Sequence, residues 1–206
     1  MDERDKLEII RSYNERLLKF GDSSEALAVG TEERRRIRFQ VLTEIGDLRG
    51  KKILDLGCGF GDLLDFLKEK GIEVDYTGYD INPKMIEIAR KKHPGAQFKV
   101  IDITEEEFPI FDYILSTSAF NNKLKYEDNY KFIEKIFRIT YEHAKEGVAI
   151  DFLSSYVDFK RDYAFYYEPE NVFAIAKKIT RRVCLRHDYP LFEFCIYLYK
   201  DCKFPY

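Results

Sequence analysis

Hydrophobic positions along the chain fall into two regimes. Near the N-terminus Leu7, Ile10, Tyr13, Leu17 and Phe20 recur at spacings of three and four, a single apolar stripe that predicts an amphipathic helix ended by Gly21-Asp22-Ser23-Ser24. A loop to Gly30 follows. Thr31 then predicts the cap of a second helix, with Glu32 and Glu33 where the helix dipole favours acids and Ile37, Val41, Leu42 and Ile45 facing inward. From Lys52 onward short apolar runs alternate with helical stretches, the pattern of a parallel sheet with crossover helices. Strands are predicted near 52–57, 73–80, 97–102, 111–117, 146–153, 181–187 and 192–199, with helices near 61–70, 83–92, 126–144 and 169–179. Pro83 and Pro169 each stand where a first helical turn tolerates proline. Asp188-Tyr189-Pro190 is too short for a crossover, so the last strand must run antiparallel to its neighbour. The expected fold is α/β, a three-layer sandwich around a mostly parallel seven-stranded sheet with the last strand antiparallel. Residues 1–48 form an N-terminal helical extension and 49–206 the main domain.

Composition fits a single globular domain. The 206 residues are 45% hydrophobic, and 34 Lys and Arg against 37 Asp and Glu leave a net charge of −3. Collagen, coiled coil and wholesale disorder are excluded, and the near-neutral balance argues against a chain held to nucleic acid by bulk charge. The charged start Met1-Asp2-Glu3-Arg4-Asp5-Lys6 is unlike a signal peptide, and no run approaches the ~18 apolar residues of a spanning helix. A cytoplasmic protein without membrane attachment is expected. Cys58, Cys184, Cys195 and Cys202 form no CxxC pair, and with 3 histidines they assemble no zinc spacing; reduced, mostly buried thiols are expected.

The densest chemistry lies in Ile53-Leu54-Asp55-Leu56-Gly57-Cys58-Gly59-Phe60-Gly61-Asp62, an apolar strand running into three alternate glycines ahead of a helix. Glycine lets a ligand approach the backbone closely, and the helix start offers free N–H groups. The spacing is GxGxG; it is neither the GxGxxG of dinucleotide enzymes nor a phosphate-binding GxxxxGK[ST] loop. Twenty-three residues after Gly57 the second strand ends at Asp80, where an acid can accept from ribose hydroxyls, and the third ends near Asp102. Adjacent parallel strands bring their carboxyl ends to one crevice, so glycine loop, Asp80 and Asp102 are expected to line one ligand.

These residues resemble the class I S-adenosylmethionine (SAM)-dependent methyltransferases, over roughly residues 50–200. The resemblance implies that SAM is the cofactor, with Asp55, Gly57, Gly59 and Gly61 around its methionine part. It places Asp80 on the ribose hydroxyls and Asp102 on the adenine amino group, with Met85 and Ile103 as walls for the ring. The end of the fourth strand, with Ser116, should reach the sulfonium, with Phe120 and Asn121 beyond it on the acceptor side. The Asn/Asp-Pro-Pro-aromatic signature of base-amine and glutamine methylation is missing at residues 116–122, which argues against those acceptors and leaves hydroxyl, carboxyl, thiol or other amine groups of a small molecule open, with oxygen or nitrogen the expected target. Asn121 and Asn122 have a second reading, as caps of the next helix.

Two later segments follow the carboxyl ends of strands five and six. Residues 154–167 are rich in Phe and Tyr, and Tyr156 and Tyr166 are candidates for an acceptor wall or else for core packing. In Arg186-His187-Asp188, His187 is the candidate general base, with Asp158 or Asp188 to orient it, while Arg186 either holds an acidic acceptor or pairs with a surface carboxylate. In the resemblance an N-terminal extension folds over the cofactor as a lid. Gly21 and Gly30 would serve as its hinges, and Arg38 would reach the SAM carboxylate or join Arg34, Arg35 and Arg36 on a solvated face. A SAM-binding sensor or accessory subunit is the non-catalytic alternative, and an NAD-type oxidoreductase fails on glycine spacing.

Overall fold

The computed structural model describes residues 1–200. The extension holds α1 (Glu3–Phe20), a short α2 (Ser24–Leu27) and α3 (Glu32–Thr43). There follow β1 (Lys52–Leu56), α4 (Asp62–Glu69), β2 (Asp75–Asp80), α5 (Pro83–Lys92), β3 (Gln97–Val100) and β4 (Phe111–Ser116). The chain ends with α6 (Asn129–His143), β5 (Ala144–Leu153), α7 (Pro169–Ile179), β6 (Val183–Arg186) and β7 (Glu193–Tyr199). Every predicted strand is present. Only α2 falls where a plain loop is predicted, because four residues are too few to show a period.

The seven strands lie in the order β3-β2-β1-β4-β5-β7-β6, with β7 antiparallel to both neighbours and the other pairs parallel. The chain winds outward from β1 to β3 and then returns to place β4 on the other side of β1. That reversal opens a crevice at the carboxyl ends of β1 and β4.

Side-chain alternation fills both faces. Leu54, Ile114, Val148 and Ile196 pack with α6 and α7, while Ile53, Leu115, Ala149 and Tyr197 pack with α3, α4 and α5. The extension therefore divides. α3 contributes Phe39, Val41 and Leu42 to the core layer, whereas α1 and α2 lie over the carboxyl rim. Asp5 anchors α1 there: buried, it accepts the backbone N–H groups of Lys125, Tyr126 and Glu127 at 2.8, 3.1 and 3.1 Å. Helix α6 begins at Asn129 under the cap of Asp128, so Asn121 and Asn122 do not cap it. Cys58 and Cys195 are buried, Cys184 is half-buried, and all three are free thiols. Cys202 lies outside the described residues. Among the described residues no helix is long and apolar enough to cross a membrane.

Candidate functional site

The glycine loop is stitched to the end of β2. Gly57 and Cys58 both donate their N–H to the Tyr79 carbonyl, at 2.7 and 3.0 Å, and the Gly59 N–H donates to Asp80 Oδ2 at 3.0 Å. Gly57 has φ +76°, and a Cβ there would lie 2.4 Å from the Ala119 Cβ. Gly61 plays a different part from the one expected. It caps α4 in the left-handed region at φ +83°, with His93 and Phe98 packed where its Cβ would be, and it does not line the cleft. Its absence of a side chain serves packing between α4, α5 and β3.

Above the loop is a cleft of about 1140 Å³, a figure that includes its open mouth. Asp55, Gly57, Gly59, Asp80 and Asp102 line it, and Met85, Ile103 and Phe120 supply apolar wall. Tyr13 of α1 and Leu27 of α2 roof it. The three carboxylates differ in environment. Asp55 is 2% exposed; its Oδ2 accepts from the Tyr76 hydroxyl at 2.6 Å, while its Oδ1 is buried without a hydrogen-bond partner. Burial pushes Asp55 up to about 7, against the pull of the Tyr76 hydrogen bond. Asp80 is also raised by burial, although backbone N–H groups of Asn82, Gly59 and Ile81 oppose the shift. Burial works to raise Asp102 as well, but the Thr104 hydroxyl and N–H, the N-terminal ammonium and Lys6 hold it below the usual carboxylate range. The Lys6 ammonium lies 3.3 Å from Asp102 Oδ2, which receives no hydrogen bond.

This donor set fits SAM. A buried carboxylate oxygen without a donor is costly unless a ligand supplies one, and Asp55, whose Oδ1 has none, lines a cleft backed by a loop whose close approach a Cβ would block.

A second chamber adjoins the first through Tyr13, Val29, Ser118 and Asn122, which line both. Tyr166 and Asn121 line this second chamber. Asn121 Oδ1 accepts from the Leu153 N–H at 2.9 Å, its carbonyl accepts from the Phe165 N–H at 2.9 Å, and Asn122 bridges to Ala164. These bonds fold the aromatic segment back against the end of β4. Ser118 stands at φ +58°, held by its N–H to Asp151 Oδ1 at 2.6 Å, while the Thr117 hydroxyl donates to Asp151 Oδ2 at 2.6 Å.

Several expected site residues are elsewhere. Ser116 is fully buried and its hydroxyl donates to the Leu56 carbonyl at 2.7 Å, so it bridges β4 to β1 instead of facing the cleft. Arg38 does line both chambers, but its guanidinium is engaged: Nη2 donates to Glu193 Oε1 at 2.9 Å, Nε to Glu193 Oε2, and Nη1 to the Val29 carbonyl at 2.6 Å. A buried Glu193 needs that partner, which leaves Arg38 poorly placed to hold a cofactor carboxylate. Arg35 and Arg36 pair with Asp62 and Glu69.

His187, Asp158, Tyr156 and Arg186 line neither chamber. His187 is exposed with its ring against Tyr156 and Phe194, and Asp158 is exposed as well. The Tyr156 hydroxyl donates to Glu170 at 2.6 Å, and Arg186 is shared by Asp188 and Glu44, both at 2.7 Å. Strand order explains the displacement. The β6–β7 turn is on the correct rim, but β6 is four strand spacings from β1, roughly 19 Å. Residues not anticipated are Tyr13, Thr117, Ser118, Asp151 and Glu193. Only the acids carried a signal, each a charge inside an apolar strand: Ala149-Ile150-Asp151-Phe152 and Glu193-Phe194-Cys195-Ile196.

Comparison with known proteins agrees with this geometry. A family model described as a methyltransferase domain matches residues 53–143. A putative methyltransferase of Mycobacterium tuberculosis is 35% identical over 156 residues, 72% of this chain and 92% of that protein. A demethylmenaquinone methyltransferase of Thermotoga maritima is 33% identical over 109 residues, 52% of this chain but only 43% of its own length. Among solved structures, magnesium protoporphyrin IX methyltransferase from Synechocystis PCC 6803 superposes with a TM-score of 0.68, both with S-adenosylhomocysteine and with SAM bound. Those two matches cover 96% of this chain and 100% and 97% of the solved chains at 14% and 16% identity, a likeness of fold alone.

Proposed function

The chain belongs to the class I SAM-dependent methyltransferases, and we propose that it transfers the methyl group to oxygen or nitrogen of a small molecule seated in the second chamber. One observation carries this reading: Asp55, Asp80 and Asp102, from the ends of three neighbouring strands, line a single cleft with the glycine loop, and that cleft opens into a second chamber. When bound, SAM supplies an electrophilic methyl on a positively charged sulfur, which leaves as the neutral thioether of S-adenosylhomocysteine.

Each residue then has a stated task. Asp55 Oδ1 accepts from the ammonium of the methionine part, while Gly57 and Gly59 let that part lie against the backbone. Asp80 keeps lone pairs beyond its backbone bonds for the ribose hydroxyls. Asp102 accepts from the adenine amino group between Met85 and Ile103. Tyr13 and Leu27, on the two rim helices, exclude water above the cofactor, with Gly21 and Gly30 on either side of α2 as the hinges. In-line positioning, a source worth about 7–11 kcal/mol, is the contribution this pair of chambers supports best, and among the described residues neither is lined by a histidine. The adjoining chamber favours an acceptor over a purely sensory role.

Titration calorimetry with SAM, S-adenosylhomocysteine and NAD tests the cofactor assignment, with binding of the first two and not the third expected. Transfer of label from methyl-labelled SAM to a small-molecule pool then tests turnover. Binding of NAD in place of SAM overturns the reading.

A further inference from the structure

The second chamber has a composition of its own. Arg34, Arg38 and Arg161 line it against one carboxylate, Glu193. Arg38 engages that carboxylate through two bonds. Asp151, the next acid behind the wall, is turned into its bonds with Thr117 and Ser118. Arg34 and Arg161 remain in excess. Arg34 approaches Glu193 no closer than 3.7 Å, and its Nε is buried with no hydrogen-bond partner. Arg161 makes no ion pair among the described residues; its Nη1 donates to the Tyr163 hydroxyl at 2.7 Å and its backbone N–H to the Tyr166 hydroxyl at 3.1 Å.

The rest of the wall is aromatic. Tyr166 lines the chamber, and Phe159 and Phe192 meet edge to face at 6.0 Å while leaving 54% and 44% of their surfaces exposed. Exposed rings at the mouth of a cavity, combined with three guanidinium groups in its wall against a single carboxylate, call for a ligand that is flat and apolar on one side and anionic on the other. A guanidinium presents two parallel N–H donors, and their spacing matches a carboxylate.

We propose that the acceptor is a small aromatic carboxylate, its ring packed against Tyr166, Phe159 and Phe192 and its carboxylate held by Arg34 and Arg161. This rests on the methyltransferase reading and narrows its substrate class. An anion there neutralises the excess guanidinium charge. The group to be methylated then points through the neck at Tyr13, Ser118 and Asn122 towards the cofactor cleft.

The test is calorimetry on the protein saturated with S-adenosylhomocysteine, using benzoate, 4-hydroxybenzoate and 1-hydroxy-2-naphthoate, the amide of each, and hexanoate. At least one aromatic acid is expected to bind tenfold or more tighter than its amide and than hexanoate. Arg34→Gln and Arg161→Gln should each cut that acid-over-amide preference at least threefold with S-adenosylhomocysteine affinity unchanged. If S-adenosylhomocysteine binds but no acid is preferred over its amide, or if the preference survives both substitutions, the proposal is overturned while the methyltransferase reading stands. Failure of S-adenosylhomocysteine itself to bind overturns both.

Discussion

Arg38 of α3 and Glu193, the first residue of β7, form a buried forked ion pair across 155 residues of sequence. It fastens the N-terminal extension to the antiparallel strand at the border of the two chambers. Removing one partner strands the other charge in the core, so Glu193→Ala should lower stability by about 3–5 kcal/mol. Replacing both by methionine should restore most of that loss, because the desolvation cost disappears together with the attraction. Urea unfolding midpoints of the two variants check this. Equal destabilisation in the single and double variants would mean that packing, not charge, dominates there.

Asp55 gives the ligand-free protein a defined pH dependence. Its folded value is raised from 3.8 to about 7 by burial, so the folded state holds this proton more tightly than the unfolded chain does. The resulting stability is complete below pH 4, declines as the unfolded carboxyl ionises, and is lost once pH passes 7. Asp151, raised to about 6 by burial and the Glu193 charge, acts in the same sense over pH 4 to 6. Asp55→Asn should therefore stabilise the ligand-free protein by about 1–4 kcal/mol at pH 8 and by little at pH 4, while weakening SAM binding. Thermal melts from pH 4 to 9 read the first effect; a constant difference across that range contradicts it.

The anchoring of α1 predicts how the rim opens. Asp5 alone receives the three N–H groups at 125–127, and bonds to a charged acceptor contribute about 1.5–3 kcal/mol. Asp5→Ala should free α1 before the sheet unfolds and speed proteolysis between residues 21 and 30. Added SAM should slow the same cleavage in the unaltered protein. Cutting at equal rates with and without SAM would contradict a closing role for the extension.

Periodicity carried most of the fold. Strands β1 to β7 were legible because each apolar run is bounded by turn residues, and the reversal of β7 followed from the three residues at 188–190. The cofactor cleft was legible for a related reason: when parallel strands end in glycine or aspartate, topology alone brings those ends together. The acceptor side was not, since lateral strand order leaves no mark on a single sequence. His187 and Arg186 lie on the right rim at its far edge, whereas Glu193, only six residues beyond His187, opens β7 one strand further in and lines the chamber. Arg38 lines the cleft, but its partner Glu193 is 155 residues away and no local pattern announces it.

His187 and Asp80 should respond differently to truncation. Asp80 lines the cleft and holds Gly59 and Asn82 at 3.0 and 2.8 Å, so Asp80→Ala should weaken SAM binding by about 1.5–3 kcal/mol. His187 packs its ring against Tyr156 and Phe194 at the sheet edge and lines neither chamber, so His187→Ala should leave both SAM affinity and turnover within twofold of the unaltered protein. Calorimetry and initial rates separate the two. A large loss of turnover in His187→Ala at constant SAM affinity would restore it as the base.

Gly57 offers the sharpest test of the loop, because two separable penalties fall on one methyl group. Any side chain there must tolerate φ +76°, which costs about 1–2 kcal/mol in the left-handed region. It must also displace Ala119, whose Cβ would be 2.4 Å away. Gly57→Ala is thus expected to abolish measurable SAM binding, since the loop can relieve the contact only by moving away from the end of β4. Adding Ala119→Gly removes the collision and leaves the backbone term, so the double variant should regain binding to within about thirtyfold of the unaltered protein, the factor that about 2 kcal/mol represents. If the double variant binds no better than the single one, the left-handed conformation itself limits the site, and the close approach between the two strand ends contributes little.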